Sequence, residues 1–185
     1  MDRSTLVARW PMASIVVVSV LTGCTNDSVI IDPRAVVSQP AEAIDPYADS
    51  PSRFGRVPLH AGFSPDPQLV AGIATGEVQA ATIHRRCRGW VAEMPDYLLE
   101  ADTAFLQIYL LGRSRSSISL VLRKPDGSVS CSRNKTMEPM IRSDLPIGAS
   151  QIWVGVEEEG TTASYQLGFS EVKWKPSSIP LPEPD

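Results

Sequence analysis

The sequence is poor in the residues on which most catalytic and metal sites depend. Its 185 residues include only two histidines, His60 and His84, and three cysteines. Neither histidine has a second ligand at the spacing of a zinc site, and no serine lies in a nucleophile-elbow signature. A long basic block is absent as well, and the net charge is -4. We therefore predict no catalytic residue, no metal site, no cofactor and no nucleic-acid partner.

A hydrophobic run long enough to cross a bilayer is also missing. The most apolar stretch, Met12–Leu21, covers ten residues, whereas a membrane span needs about 20. Arg3 and Arg9 precede this stretch and small residues follow it. A positive segment, a short apolar segment and a small-residue exit are typical of a secretory signal peptide.

The exit of this segment, Leu21-Thr22-Gly23-Cys24, resembles the lipobox of bacterial lipoproteins at every position. The resemblance implies removal of residues 1–23, a diacylglycerol on the Cys24 sulfur and a fatty acid such as palmitate on the new amino terminus. Several acyl chains would hold the protein firmly on a membrane. The residue after Cys24 is Thr25 and not the aspartate that favours retention in the inner membrane, so the resemblance favours location in the outer membrane. The alternatives are an ordinary signal peptide with a chance cysteine and an N-terminal transmembrane anchor.

Two cysteines remain once Cys24 carries lipid. In an exported protein, the pair Cys87 and Cys131 predicts a disulfide. Closing a loop of this length stabilises a fold by about 4 kcal/mol in the chain-entropy model. The alternative is two free buried thiols.

Proline divides the rest of the chain into three parts. Residues 25–67 contain seven prolines, and four of the last ten residues are prolines. Proline removes an amide donor and disfavours helix in the residue before it. We therefore predict a disordered tether over 24–67, a folded domain over 68–175 and a disordered tail over 176–185.

The region 68–175 alternates between apolar and polar residues, which is typical of half-buried strands. We predict about eight strands, near residues 68–74, 97–100, 104–111, 116–123, 129–132, 140–142, 150–157 and 164–170. In the third of these, one apolar face is formed by Ala104, Leu106, Ile108 and Leu110. Pro125-Asp126-Gly127 predicts a hairpin turn. Because one-sided strands bury their apolar faces against a second sheet, the fold class is all-β, an antiparallel, jelly-roll-like β-sandwich with one disulfide.

The order of several short motifs in this domain is distinctive. They are Cys87-Arg88-Gly89-Trp90, Pro95-Asp96-Tyr97, Pro125-Asp126-Gly127, Cys131, Pro139, Ile152-Trp153-Val154-Gly155 and Tyr165-Gln166-Leu167. This order resembles the bacterial pre-peptidase C-terminal domain. The resemblance implies a jelly-roll sandwich that assists secretion, localisation or substrate contact and has no catalytic residues. Related domains often carry acidic residues after the second cysteine, whereas residues 132–135 here are Ser-Arg-Asn-Lys.

Calcium is the metal that sandwich loops most often bind, through six to eight oxygen ligands. The candidate oxygen donors here are Asp96, Glu100 and Asp102, and the run Glu157-Glu158-Glu159. Their spacing matches no EF-hand loop, and adjacent glutamates on a strand point in different directions. We therefore predict no calcium site.

Basic residues flank both cysteines, and a disulfide would bring them together. The predicted contact face consists of Arg85, Arg86, Arg88, Arg133, Lys135 and Trp153. Such a positive patch could meet lipopolysaccharide phosphates or an acidic protein; the alternative is scattered surface charge. Trp153 lies on the strand face opposite Ile152 and Val154, so it is either an exposed contact residue or, with Trp90, core packing beside the disulfide.

The sequence thus predicts a non-enzymatic, lipid-anchored outer-membrane protein. Its sandwich would be an interaction or accessory module with a protein or glycan partner in the cell envelope. A glycan-binding surface module is the first alternative, and a small envelope hydrolase is the second.

Overall fold

The structure of the protein, a computed structural model, describes residues 45–132 and 136–183. This part of the chain is built almost entirely of β-strands, and its only helical segments are 3-10 turns at Ala80–Thr82 and Pro176–Ser178. No helix within these two ranges is long and apolar enough to cross a membrane.

Eleven strands run through the described residues. In chain order they are β1 (Arg56–Leu59), β2 (Gln68–Thr75), β3 (Val78–Gln79), β4 (Trp90–Val91), β5 (Tyr97–Ala101), β6 (Phe105–Ser114), β7 (Ile118–Arg123), β8 (Val129–Cys131), β9 (Met140–Leu145), β10 (Gly148–Val156) and β11 (Thr162–Ser170). All eight predicted strands are present, and β1, β3 and β4 are additional.

The strands form two sheets. The four-stranded sheet has the order β2-β11-β6-β9, and the seven-stranded sheet has the order β1-β5-β10-β4-β3, with β7 joining β10 to β8. All pairings are antiparallel except that of β1 with β5. One apolar core contains side chains from both sheets, among them Leu120 and Val154 from one and Leu167 and Phe169 from the other. The predicted antiparallel β-sandwich is therefore confirmed.

The strand β10 lies at the centre of the seven-stranded sheet and is buried on both faces. It pairs with β5 and β4 along one edge and with β7 along the other. On its inner face Ile152 and Val154 pack in the main core. On its outer face Trp153 is buried as well, although alternation predicted that one face would be polar.

The hairpin predicted at Pro125-Asp126-Gly127 joins β7 to β8. The Gly127 amide donates to the Lys124 carbonyl at 2.9 Å, and the Lys124 amide donates to the Ser128 carbonyl at 2.9 Å. Gly127 has a φ of 79°, a conformation that glycine adopts at no steric cost. This turn sets the position of β8 and hence of Cys131.

The folded domain begins earlier than predicted. The strand β1 pairs with β5, and Val57 and Leu59 are buried in the main core. Asp45 Oδ2 accepts a hydrogen bond from the Ala149 amide. A tether extending to residue 67 is therefore wrong. Pro58 is compatible with β1 because β1 is an edge strand, where a missing amide donor costs no ladder hydrogen bond.

The carboxyl-terminal end of the domain also extends further than predicted. Ile179 is buried against Tyr109 and Leu111 on the outer face of the four-stranded sheet. The Arg113 guanidinium donates to the carbonyls of Ser177 and Ile179. The segment excluded as a tail therefore covers part of this sheet, at least as far as Ile179.

One predicted apolar face is wrong at its first two positions. Ala104 is exposed and Leu106 is 98% exposed, whereas Phe105 between them is buried. The pairing of β6 with β9 changes register between Phe105 and Ile108. Because a bulge of this kind interrupts the two-residue period, the residues before it point to the opposite face from the one that alternation predicts.

Asp96 joins the amino-terminal segment to β10. Its side chain is fully buried, accepting from Arg53 Nη1 at 2.7 Å and from the Val154 amide at 2.6 Å. Burial raises the pKa of this carboxyl to about 6, although the hydrogen bond from Val154 and the charge of Arg53 act in the opposite direction. Each carboxylate oxygen of Asp96 thus accepts one hydrogen bond within the fold.

The raised pKa of Asp96 predicts a pH dependence of stability. The folded chain binds this proton more tightly than the unfolded chain, whose aspartates have a pKa of about 4. The contribution of Asp96 to the free energy of unfolding is therefore largest below about pH 4 and is lost as the pH rises through about 6. The shift corresponds to about 2–3 kcal/mol.

Asp96→Asn should abolish this dependence. Denaturant unfolding of both chains from about pH 4 to about pH 7 measures it, because contributions of the other groups cancel in the difference. Parallel curves for the two chains would contradict a raised pKa at Asp96.

Candidate contact groove

The loop over residues 80–89 connects β3 to β4 and is closed by its own hydrogen bonds. The Ala80 amide donates to the Gly89 carbonyl at 2.9 Å, and the Cys87 amide donates to the His84 carbonyl at 2.8 Å. Gly89 has a φ of 96°, and a Cβ there would lie 2.6 Å from the Val156 carbonyl oxygen. Glycine is thus required where the loop passes close to the end of β10.

The disulfide attaches this loop to β8. The structure places the sulfur atoms of Cys87 and Cys131 at bonding distance, with their Cα atoms 5.5 Å apart, as the sequence predicted. Cys87 is fully buried, whereas Cys131 is half-buried. The loop is therefore fixed against the outer face of the seven-stranded sheet.

Trp153 lies beneath this loop and is only 2% exposed. It packs in a small cluster with Ala80, Cys87, Val91 and Val121. The assignment of Trp153 to an exposed contact face is therefore wrong, because the loop covers the side of β10 that alternation would leave to solvent. Trp90 is half-buried and packs against the main core instead.

Burial of Trp153 predicts a large cost for its removal. Trp153→Ala should lower the free energy of unfolding by about 3–5 kcal/mol, the usual range for a large aromatic residue in a core. Trp174 is 37% exposed, so Trp174→Ala serves as a matched control and should cost less than about 1 kcal/mol. Denaturant unfolding measures both. If both variants lost the same small amount of unfolding free energy, the burial of Trp153 would be contradicted.

A groove of about 860 Å³ opens beside the half-buried Cys131. It is lined by His84 and Arg86 of the loop, by the end of β8 over 129–132, by Thr136, and by residues 138–142, which lead into and begin β9. Because β8 and β9 are each the edge of their own sheet, the groove lies along the open side of the sandwich.

The groove is cationic. Arg86 and Arg142 both line the groove, and in the ranges 45–132 and 136–183 no carboxylate pairs with either guanidinium. The acidic lining residue Glu138 lies 3.9 Å from Arg113 Nε. The lining therefore has two arginines against one carboxylate, a small positive excess.

The predicted basic residues occupy different positions around this groove. Arg86 lines it, Arg85 is exposed in the same loop, and Arg88 donates to the Arg85 carbonyl at 3.2 Å. Arg133 and Lys135 lie outside the described residues. Arg142 was not predicted, because nothing in its local sequence indicates that β9 faces the 80–89 loop.

The remaining acidic candidates lie elsewhere. Glu100 pairs with Arg56. Glu100, Asp102 and His60 line a second cavity of about 310 Å³ near the start of β10. Asp96 is held apart from them by its pairing with Arg53.

Comparison with known proteins yields few relatives. No family model matches the sequence, and no curated protein matches it. One solved structure that matches part of this chain is the pre-peptidase C-terminal domain of a collagenase from Bacillus anthracis. It has a TM-score of 0.43 and 12% sequence identity, over 66% of this chain and 99% of that domain. The sandwich assignment rests on the strand pairing described above.

Proposed function

We propose that this protein is a non-enzymatic lipoprotein of the bacterial outer membrane whose β-sandwich binds an acidic segment of another envelope protein. The observation that carries the proposal is the groove between Arg86 and Arg142, whose two guanidinium groups have no carboxylate partner in the described part of the chain. Arginine at such a position binds carboxylates through two parallel hydrogen bonds.

The shape of the groove supports an extended partner. Its lining includes residues of two edge strands, β8 and β9, and edge strands present backbone donors and acceptors. A peptide lying between β8 and β9 could pair with these groups while its carboxylates meet the arginines.

The glycan-binding alternative is less well supported. Sugar recognition by stacking needs an exposed aromatic ring, and the residue predicted for that role, Trp153, is buried. Lipopolysaccharide phosphates remain a second source of negative charge, and the experiment below distinguishes them from an acidic protein.

The double variant Arg86→Glu with Arg142→Glu tests the groove. Both side chains are exposed, so the stability should change by less than about 1 kcal/mol. In-cell cross-linking followed by mass spectrometry should show one dominant protein neighbour for the unaltered chain, and its yield should fall at least about tenfold in the double variant, a loss of about 1.4 kcal/mol. The control Arg115→Glu changes an exposed arginine outside the groove and should leave the yield unchanged.

The same experiment has two outcomes that would overturn the proposal. Equal cross-linking yields for the unaltered chain, the double variant and Arg115→Glu would show that the groove does not bind the partner. If the protein retained lipopolysaccharide or cell-wall glycan but no protein neighbour, the ligand would be a glycan or a lipid and not a protein.

The anchor is tested separately at Cys24. Cys24→Ser removes the sulfur to which the diacylglycerol would attach, so the chain should lose labelling by a palmitate analogue and leave the membrane fraction. Cys131→Ser provides a matched control, since this cysteine lies in the sandwich, and should keep both the label and the membrane association. Labelling that survives Cys24→Ser would contradict the anchor without affecting the groove.

A further inference from the structure

The groove contains a second chemical feature at the disulfide. A ring nitrogen of His84 and the Sγ atoms of Cys87 and Cys131 all lie within 4.8 Å of one another. Two sulfur atoms and one imidazole nitrogen at this separation can reach a single ion, since zinc binds sulfur at about 2.3 Å and histidine nitrogen at about 2.0 Å. No local sequence pattern predicts this site, because Cys131 approaches the other two residues only through folding.

We propose that the reduced form of this protein binds one Zn²⁺ ion through His84, Cys87 and Cys131. Thiolates and imidazole are the ligands that zinc prefers among protein side chains. Three protein ligands leave a fourth position, which water from the groove fills. The oxidised form does not bind the ion, because both sulfur atoms are then bonded to each other.

The loop can hold its two ligands in place without the disulfide. The His84 amide donates to the Ala80 carbonyl at 3.3 Å, and the Cys87 amide donates to the His84 carbonyl at 2.8 Å. These bonds close the turn between the histidine and the cysteine independently of Cys131. The ring of His84 is held only weakly, since its Nδ1 accepts from the Arg86 amide at 3.3 Å, which is long for a hydrogen bond.

The third ligand is positioned by the sheet. Cys131 pairs with Val121, and Ser130 and Val129 continue the same antiparallel ladder between β8 and β7. Cys131 is half-buried and lines the groove, so a metal ion can reach the site from solvent. To bind one ion after reduction, the two sulfur atoms must move apart from bonding distance, which rotation about their Cα–Cβ bonds permits while the β8–β7 pairing keeps Cys131 on the sheet.

The reaction balances in electrons, protons and charge. A dithiol reductant supplies two electrons and two protons to the disulfide, becomes a disulfide itself, and leaves Cys87 and Cys131 as thiols. Zn²⁺ then displaces both thiol protons and forms two thiolate bonds and one bond to neutral imidazole. The resulting site has no net charge, so the neighbouring arginines do not oppose it.

Cobalt binding tests the site on the full chain carrying Cys24→Ser, so that the only thiols are those of Cys87 and Cys131. After reduction under anaerobic conditions, one equivalent of Co²⁺ should produce the sulfur-to-metal charge-transfer absorption and the visible bands of tetrahedral cobalt. Zn²⁺ should abolish both. The oxidised chain should show neither.

His84→Ala should weaken cobalt binding at least about tenfold, whereas His60→Ala, which alters the other histidine, should not change it. Circular dichroism of the oxidised His84→Ala chain verifies that it folds. Should reduction alone unfold the chain, recovery of the β-sheet spectrum with one equivalent of Zn²⁺ supports the site, and failure to recover refutes it. The proposal is also overturned if the reduced chain shows no sulfur-to-metal absorption. It is equally overturned if the His84→Ala chain binds cobalt as tightly as the chain that retains His84.

Discussion

The structure depends on covering both faces of its central strand, β10. The inner face is buried by the four-stranded sheet, as in any sandwich. The outer face carries Trp153 and would be exposed without the loop over 80–89. That loop contains no regular structure longer than one 3-10 turn, and the disulfide from Cys87 to Cys131 attaches it to β8. The same bond that protects this cluster therefore also brings His84 and Arg86 to the groove.

This arrangement links stability to the proposed chemistry. In the chain-entropy model a disulfide closing a loop of this length contributes about 4 kcal/mol. Reduction would remove that contribution and loosen the cover over Trp153. A metal ion bound by His84, Cys87 and Cys131 would connect the same two segments again, because metal binding to a folded site adds directly to folding free energy. Under the proposal the two states share one architecture and differ in what occupies the wall of the groove.

Alternation of residue type locates eight strands of this protein, although β5, β7 and β10 are buried on both faces. It fails where another constraint intervenes. The strand β1 was missed because it contains Pro58. Proline is tolerated in an edge strand, and the sequence alone does not show which strand lies at an edge. The bulge before Ile108 reversed the face of Leu106. The cover over Trp153 and the approach of Arg142 to Arg86 arise from contacts distant in sequence, so the local pattern contains no signal for either.

The path of the chain suits a tethered module. The amino-terminal segment joins the sandwich where Asp45 accepts from Ala149, at the start of β10. Trp153 lies four residues beyond Ala149 on that strand, which corresponds to about 13 Å at the usual rise. Arg53, paired with Asp96, holds the amino-terminal segment against the sheet.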